Sequence, residues 1–106
     1  MYRLEFLPSA RQDLIETVRY ITEKLKNPDA ADRIAEEIVA AAESLREFPY
    51  RNPVFRPMKP LEREVRSVPA GNYLLFYWVE EEEKRVTIAR ILYARRDLEA
   101  ALARPD

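Results

Sequence analysis

The chain has no cysteine, no histidine and a single glycine, Gly71, among its 106 residues. Without cysteine there is no disulfide and no thiolate metal site, a composition that suits a reducing cytosol. Without histidine the commonest general base, the commonest metal ligand and the side chain that titrates nearest neutral pH are all excluded. Any catalysis would rest on carboxylates, Tyr, Arg, Lys or a hydroxyl. One glycine cannot build a phosphate-cradling loop. No apolar run approaches the ~18 residues of a membrane span, and the N-terminus enters a strand pattern without a signal-peptide layout. An excess of basic charge is missing too: 18 Lys and Arg stand against 19 Asp and Glu, for a net charge of −1. Nucleic-acid binding would therefore need a local patch.

What is present is the material of one globular domain, expected to span residues 1–106: 47% hydrophobic and 35% charged residues. "YRLEFL" alternates, with Tyr2, Leu4 and Phe6 on one face and Arg3 and Glu5 on the other, which predicts a half-buried strand. A helix follows from Ser9, read as its cap with Gln12 three residues on, to about Lys26. Its apolar stripe is Leu14, Val18, Ile21 and Leu25. Asn27 and Pro28 open a second helix running to about Phe48, with the stripe Ala31, Ile34, Ile38, Ala41 and Leu45. The short connection makes the two an antiparallel pair. Pro49, Pro53, Pro57 and Pro60 mark an irregular loop. A short strand, "REVRSV", a turn at Gly71, a hairpin of Asn72–Val79 with Arg85–Tyr93, and a short helix in "RRDLEAALA" complete the chain. The class is α+β: an N-terminal strand, an antiparallel helical hairpin packed on an antiparallel β-sheet, and a short C-terminal helix.

The hairpin breaks the alternation expected of a strand with one wet face. Tyr73, Leu75, Tyr77 and Val79 point one way; Leu74, Phe76 and Trp78 point the other, and all are apolar or aromatic. Two helices cover one face. The other is either a partner-binding surface or is closed by the C-terminal helix and the proline loop. The run Glu80–Glu83 reads as a solvated turn, not a metal site. Arg90 stands inside an apolar strand, where a charge is costly unless paired or functional. Arg95 and Arg96 close the hairpin, with Arg63, Arg66, Arg51, Arg56 and Lys59 earlier in the chain. They form either a basic patch beside Tyr93 for phosphates, nucleic acid or an acidic protein, or surface ion pairs with Glu62, Glu64 and Asp97.

"FLPSARQDLIETVRYI", "NPDAA", "SLREFP", "GNYLLFYWV" and "VTIARILYARRDL", in this order from Leu4 to about Leu98, together resemble the RelE/ParE superfamily of type II toxins. The resemblance implies a compact cytoplasmic toxin, in a hetero-oligomer with a co-expressed antitoxin whose otherwise disordered tail wraps it. RelE-like members cut messenger RNA in the ribosome. ParE-like members, the plasmid-stabilisation type, poison DNA gyrase without a hydrolytic reaction of their own. At the place where the nucleases typically carry an arginine, this chain has Leu74, which offers a phosphate neither charge nor hydrogen bond. "GNYLLFYW" and "ARRDL" look more like ParE. The resemblance thus implies a ParE-like toxin acting by binding, with Leu74, Phe76, Trp78, Arg90, Tyr93, Arg95 and Arg96 as partner-binding residues and neither cofactor nor metal. The alternatives are a RelE-like endoribonuclease using Arg63, Arg66, Arg90 and Tyr93, or an inactive relative.

Overall fold

A computed structural model describes residues 1–57 and 61–103. Lys59 and Pro60, assigned above to the basic set and the proline loop, lie outside the described residues. The elements are β1 (Arg3–Phe6), α1 (Pro8–Arg19) continued by one π-helical turn (Tyr20–Lys24), α2 (Pro28–Ser44), β2 (Arg66–Ala70), β3 (Tyr73–Glu80), β4 (Arg85–Tyr93) and α3 (Leu98–Ala103). The expected α+β order stands, with β3 and β4 at the centre of a sheet ordered β1-β4-β3-β2. The sheet is mixed and not wholly antiparallel, because β1 runs parallel to β4. Apolar alternation is the same in either direction. Only the hairpin strands have their direction fixed by a short turn.

Helix boundaries differ from the sequence expectation for local reasons. α1 begins at Pro8, whose fixed φ suits a first helical position, and Leu7 at the cap position makes no side-chain capping bond. Ser9 is inside the helix and donates its hydroxyl to the Ala89 carbonyl instead, at 2.7 Å. Gln12 donates to Glu16, so no capping box forms. The π turn, closed by Leu25 N–H to the Tyr20 carbonyl, widens the helix and rotates Leu25 off the buried stripe, leaving it 57% exposed. Lys26 ends the turn with φ 52. Asn27 then caps α2 as predicted, its Oδ1 accepting from Ala30 N–H at 3.1 Å. α2 stops at Ser44, four residues before Phe48, through tight turns at Leu45 and Arg46. Phe48 is exposed, so no apolar contact supports a further turn.

The main core lies between the helices and one sheet face: Ala10, Ile38, Ala42 and Leu45 against Leu75, Tyr77, Val86, Ile88 and Ile91. The second face carries its own cluster. Val54 bridges to Arg66 beside β2, which lays Phe55 edge-on against Phe76 with ring centroids 5.1 Å apart. From the other side α3 brings Leu98, Ala101 and Leu102. Phe76 is 0% exposed and Leu92 1%. The chain's own loop and last helix therefore fill the centre of the face that alternation left uncovered.

Gly71 turns β2 into β3 with φ 61, and a Cβ there would stand 2.8 Å from Oε2 of Glu37 on α2. The Glu37 side chain can swing aside, so the backbone conformation sets the cost. Gly71→Ala is expected to lose about 1–2 kcal/mol, read as a fall of roughly 5–10 °C in Tm by calorimetry. A fall under about 2 °C would mean the turn relaxes without strain.

Candidate partner-binding site

β1 ends at Phe6, opposite Ile88, while β4 runs on to Tyr93. The outer edge of β4 beyond Ile88 therefore has no strand beside it, and the N-terminal part of α1 takes that place. Leu7 N–H bonds to the Ile88 carbonyl at 2.9 Å, Ser9 reaches the Ala89 carbonyl, and the Asp13 carboxylate accepts from Ile91 N–H at 2.8 Å. The ladder to β3 is broken at the same point: Phe76 lies opposite Arg90 but Tyr77 opposite Ile88. Ala89 is thus the extra residue of a bulge.

The bulge re-aims Arg90. Its guanidinium grips Asp13 in two parallel bonds, Nε to Oδ2 at 2.8 Å and Nη2 to Oδ1 at 3.0 Å. Nη1 donates to the Ala101 carbonyl of α3 at 3.0 Å. The two side chains are only 14% and 11% exposed. The charge flagged in the strand is therefore tied to α1 and α3 at once. Its partner lies 77 residues away in sequence, beyond the reach of any pattern.

The other expected site residues separate to two ends of the sheet. At one end Arg66 lies opposite Tyr77, bonds the Asn52 carbonyl at 2.6 Å and Glu64 at 3.1 Å, and stacks on Tyr50. Arg63 covers the Trp78 ring at 4.4 Å and pairs with Glu80. At the other end are Tyr93, Arg95 and Arg96, all exposed, with Tyr93 edge-on to Tyr73 at 5.5 Å. Leu74 and Trp78 flank the second-face cluster, half-buried, and Phe76 sits fully inside it. A partner touches Phe76 only if its cover moves.

The glutamate turn is more structured than a solvated run. Tyr2 and Tyr50 both donate to Glu81 Oε1, at 2.8 and 2.7 Å, and Lys84 pairs with the same carboxylate. Lys84, Tyr50 and Tyr2 hold the Glu81 carboxyl down at about 2, and the bond to Glu81 pushes the Tyr50 phenol up to about 12. Burial pushes the Glu80 carboxyl up, but Arg85, Trp78 and Arg63 outweigh it and keep it below the usual range. Both groups fasten the hairpin tip to the rest of the chain.

Beside Tyr93 the π turn stands away from the sheet and leaves a groove of about 670 Å³. Its lining includes Ile21, Ile34, Tyr20, Tyr73 and Tyr93, with Asp13, Glu16 and Arg96 as the charged residues. Burial, then the neighbouring Tyr93 and Tyr20 hydroxyls, raises the Tyr73 phenol. Tyr20 is not singled out by the sequence as a site residue; its sequence trace is an aromatic one step off the α1 stripe, next to Ile21. An apolar floor with a few polar and charged groups is the usual make-up of a binding cleft.

A strand, a helical pair on a mixed four-stranded sheet and a short closing helix are the fold of the small RelE/ParE toxins. The toxin fold in "Chromosomal ParDE TA system from P. aeruginosa" superposes with TM-score 0.72 at 20% identity, over 90% of this chain and 98% of that one. "The crystal structure of the toxin-antitoxin complex RelBE2" from Mycobacterium tuberculosis contains a chain with TM-score 0.62 and 26% identity, covering 87% of this chain and 96% of that one. The isolated E. coli RelE toxin superposes with TM-score 0.53 at 20% identity, over 97% and 95%. No curated protein sequence matches. The model of the family described as "ParE toxin of type II toxin-antitoxin system, parDE" matches residues 4–98, and the chain belongs to that family. Among the described residues no helix is long and apolar enough to cross a membrane.

Proposed function

We propose that this chain is a single-domain cytoplasmic toxin that inhibits growth by binding DNA gyrase, and that a cognate antitoxin neutralises it in a hetero-oligomer. The supporting observation is the dispersal of the four groups a nuclease would need. Arg66 lies opposite Tyr77 and Tyr93 opposite Tyr73, four residues or about 13 Å apart along the strand, and the Arg66 guanidinium is taken up by the Asn52 carbonyl and Glu64. Arg90 is engaged with Asp13 and Ala101, and Arg63 with Trp78 and Glu80. Leu75, which lies between Tyr73 and Tyr77 on their face of β3, is apolar and buried. A partner antitoxin is supported by the family and by relatives solved as toxin–antitoxin complexes.

Induced alone in a bacterial host, the chain is expected to stop division with filamentation and a DNA-damage response while bulk translation continues at first. The purified protein should inhibit gyrase supercoiling in vitro. Codon-placed cleavage of ribosome-bound messages, lost about 10²–10³-fold in Arg90→Ala or Tyr93→Ala, would establish the nuclease reading instead.

A further inference from the structure

The end of the first helix holds two signals that disagree. The stripe Leu14, Val18, Ile21 and Leu25 keeps helical spacing throughout, and an α register would set Leu25 one turn above Ile21 on the same face. The chain instead takes a π turn over Tyr20–Lys24. The Leu25 N–H bonds the Tyr20 carbonyl at a long 3.3 Å, and the Ile21 carbonyl is left to the Asn27 N–H at 3.1 Å. The Tyr20 N–H is already divided between the Glu16 and Thr17 carbonyls. Two features follow from the extra residue. Leu25, an apolar side chain, stands 57% exposed. Lys26 holds φ 52, a conformation that is unfavourable for a residue with a Cβ. The same segment helps to form the groove, which Tyr20, Ile21, Leu25 and Asn27 line together with Ile34 of α2. Single π turns inside α-helices are rare and occur most often where function needs them.

We infer that this turn is a plug with two registers: the open π register exchanges with an α register in which Leu25 swings over Ile21 and closes the groove against Ile34. Every group that moves has somewhere to go. The Ile21 carbonyl passes from the Asn27 N–H to the Leu25 N–H, the normal helical partner. Asn27 is exposed, so its freed N–H goes to water, and its Oδ1 still caps α2 through the Ala30 N–H. The surplus residue passes into the connection, which releases Lys26 from positive φ. Leu25 exchanges solvent for apolar contact with Ile21, which is buried, and Ile34, which is half-buried. Little holds the open register in place. Thr22, Glu23 and Lys24 are exposed, and among the described residues the one side-chain hydrogen bond to this turn is from Lys26 to the Glu23 carbonyl, at 3.5 Å. The register therefore decides whether the groove is available. A ligand of the groove binds open chains alone, and its apparent affinity is scaled by the open fraction. Lys26 and Leu25 set that fraction in opposite directions: Lys26 by how readily it takes positive φ, Leu25 by the apolar surface it gains on closing.

The experiment follows the methyl groups of Leu25, Ile21 and Ile34 by NMR relaxation dispersion in the full chain. The three are expected to share one exchange process on the microsecond-to-millisecond scale of helix register shifts. Lys26→Gly takes away the Cβ that positive φ disfavours, and should lower the closed population about fivefold or more. A glycine inserted after Lys26 gives the connection the slack that the α register needs. It should raise the closed population until the Leu25 methyls are shielded from solvent and in direct contact with Ile34. Leu25→Ser, at a position exposed in the open register, should leave the fold intact and abolish the exchange at Ile21 and Ile34. Exchange that is the same in the chain and in Lys26→Gly overturns the two-register plug. So does a Leu25 that stays solvent-exposed in the insertion variant, because the π turn is then a fixed feature of the fold.

Discussion

Asp13→Ala is expected to be the most destabilising single truncation of a polar residue in this protein, with Tm falling by about 12 °C or more. Asp13 receives two bonds from the Arg90 guanidinium and one from Ile91 N–H, all between 2.8 and 3.0 Å. Truncating one partner of a buried ion pair costs about 3–5 kcal/mol, because a desolvated charge loses its counter-charge. The lower end, about 3 kcal/mol, applies to a guanidinium that keeps its bond to the Ala101 carbonyl. For a chain of this size each kcal/mol is worth roughly 4–8 °C. Asp13→Asn keeps an acceptor for Ile91 and should lose about half as much. Replacing both partners, Asp13→Leu with Arg90→Met, should recover most of the loss, since an apolar pair of similar volume removes the buried charge as well. Thermal melts of the four proteins decide it. A single-variant loss of about 2 °C or less would mean that the pair is solvated in solution and that Arg90 is available to a partner.

The second large effect is expected from ending the chain after Asp97. The intact chain should bind little apolar dye, because α3 and Phe55 fill the second sheet face. Without α3 the cluster loses Leu98, Ala101 and Leu102 and Arg90 loses the Ala101 carbonyl. Phe76 and Leu92, now fully buried, then meet solvent. Two half-buried leucines are worth about 1–1.5 kcal/mol each and the hydrogen bond about 1.5 more. The truncated chain should therefore melt about 15 °C lower, bind dye strongly and self-associate. A truncated chain that stays monomeric and dye-silent would show that Phe55 and Leu61 close the face unaided. This test also separates two ways of using the surface: Leu74 and Trp78 are half-exposed and available as they stand, whereas Phe76 is accessible only when its cover is gone.

Most of the secondary structure was legible in the sequence, since each element's apolar period matches the face it buries: 3.6 in α2 and the first part of α1, and 2 in β1. Asn27 reads as a cap and is one. The places where the reading missed are those where something distant competes locally. Ser9 has the chemistry of a cap, but the β4 bulge offers its hydroxyl a carbonyl in need of a donor. Leu25 continues the stripe arithmetically, but the extra residue of the π turn rotates it to solvent. The glutamate run has the composition of a solvated turn, yet Glu81 is the common acceptor for two tyrosines and a lysine brought together from three parts of the chain.

By itself the sequence determined the order of elements, the central hairpin and the chemistry excluded by the lack of histidine and cysteine, because these depend on local periodicity and composition; the family was legible only as a resemblance of its motifs. It also showed that Arg90 needed a partner and that the second sheet face needed a cover. Only the tertiary structure decided that Asp13 is that partner, that α3 and Phe55 are that cover, that β1 runs parallel to β4, and that β4 keeps an open edge beside the Tyr20 groove. Each of these pairs residues far apart in the chain. The free energy of such contacts comes from desolvation and bond geometry at the meeting point, which no one-dimensional pattern carries.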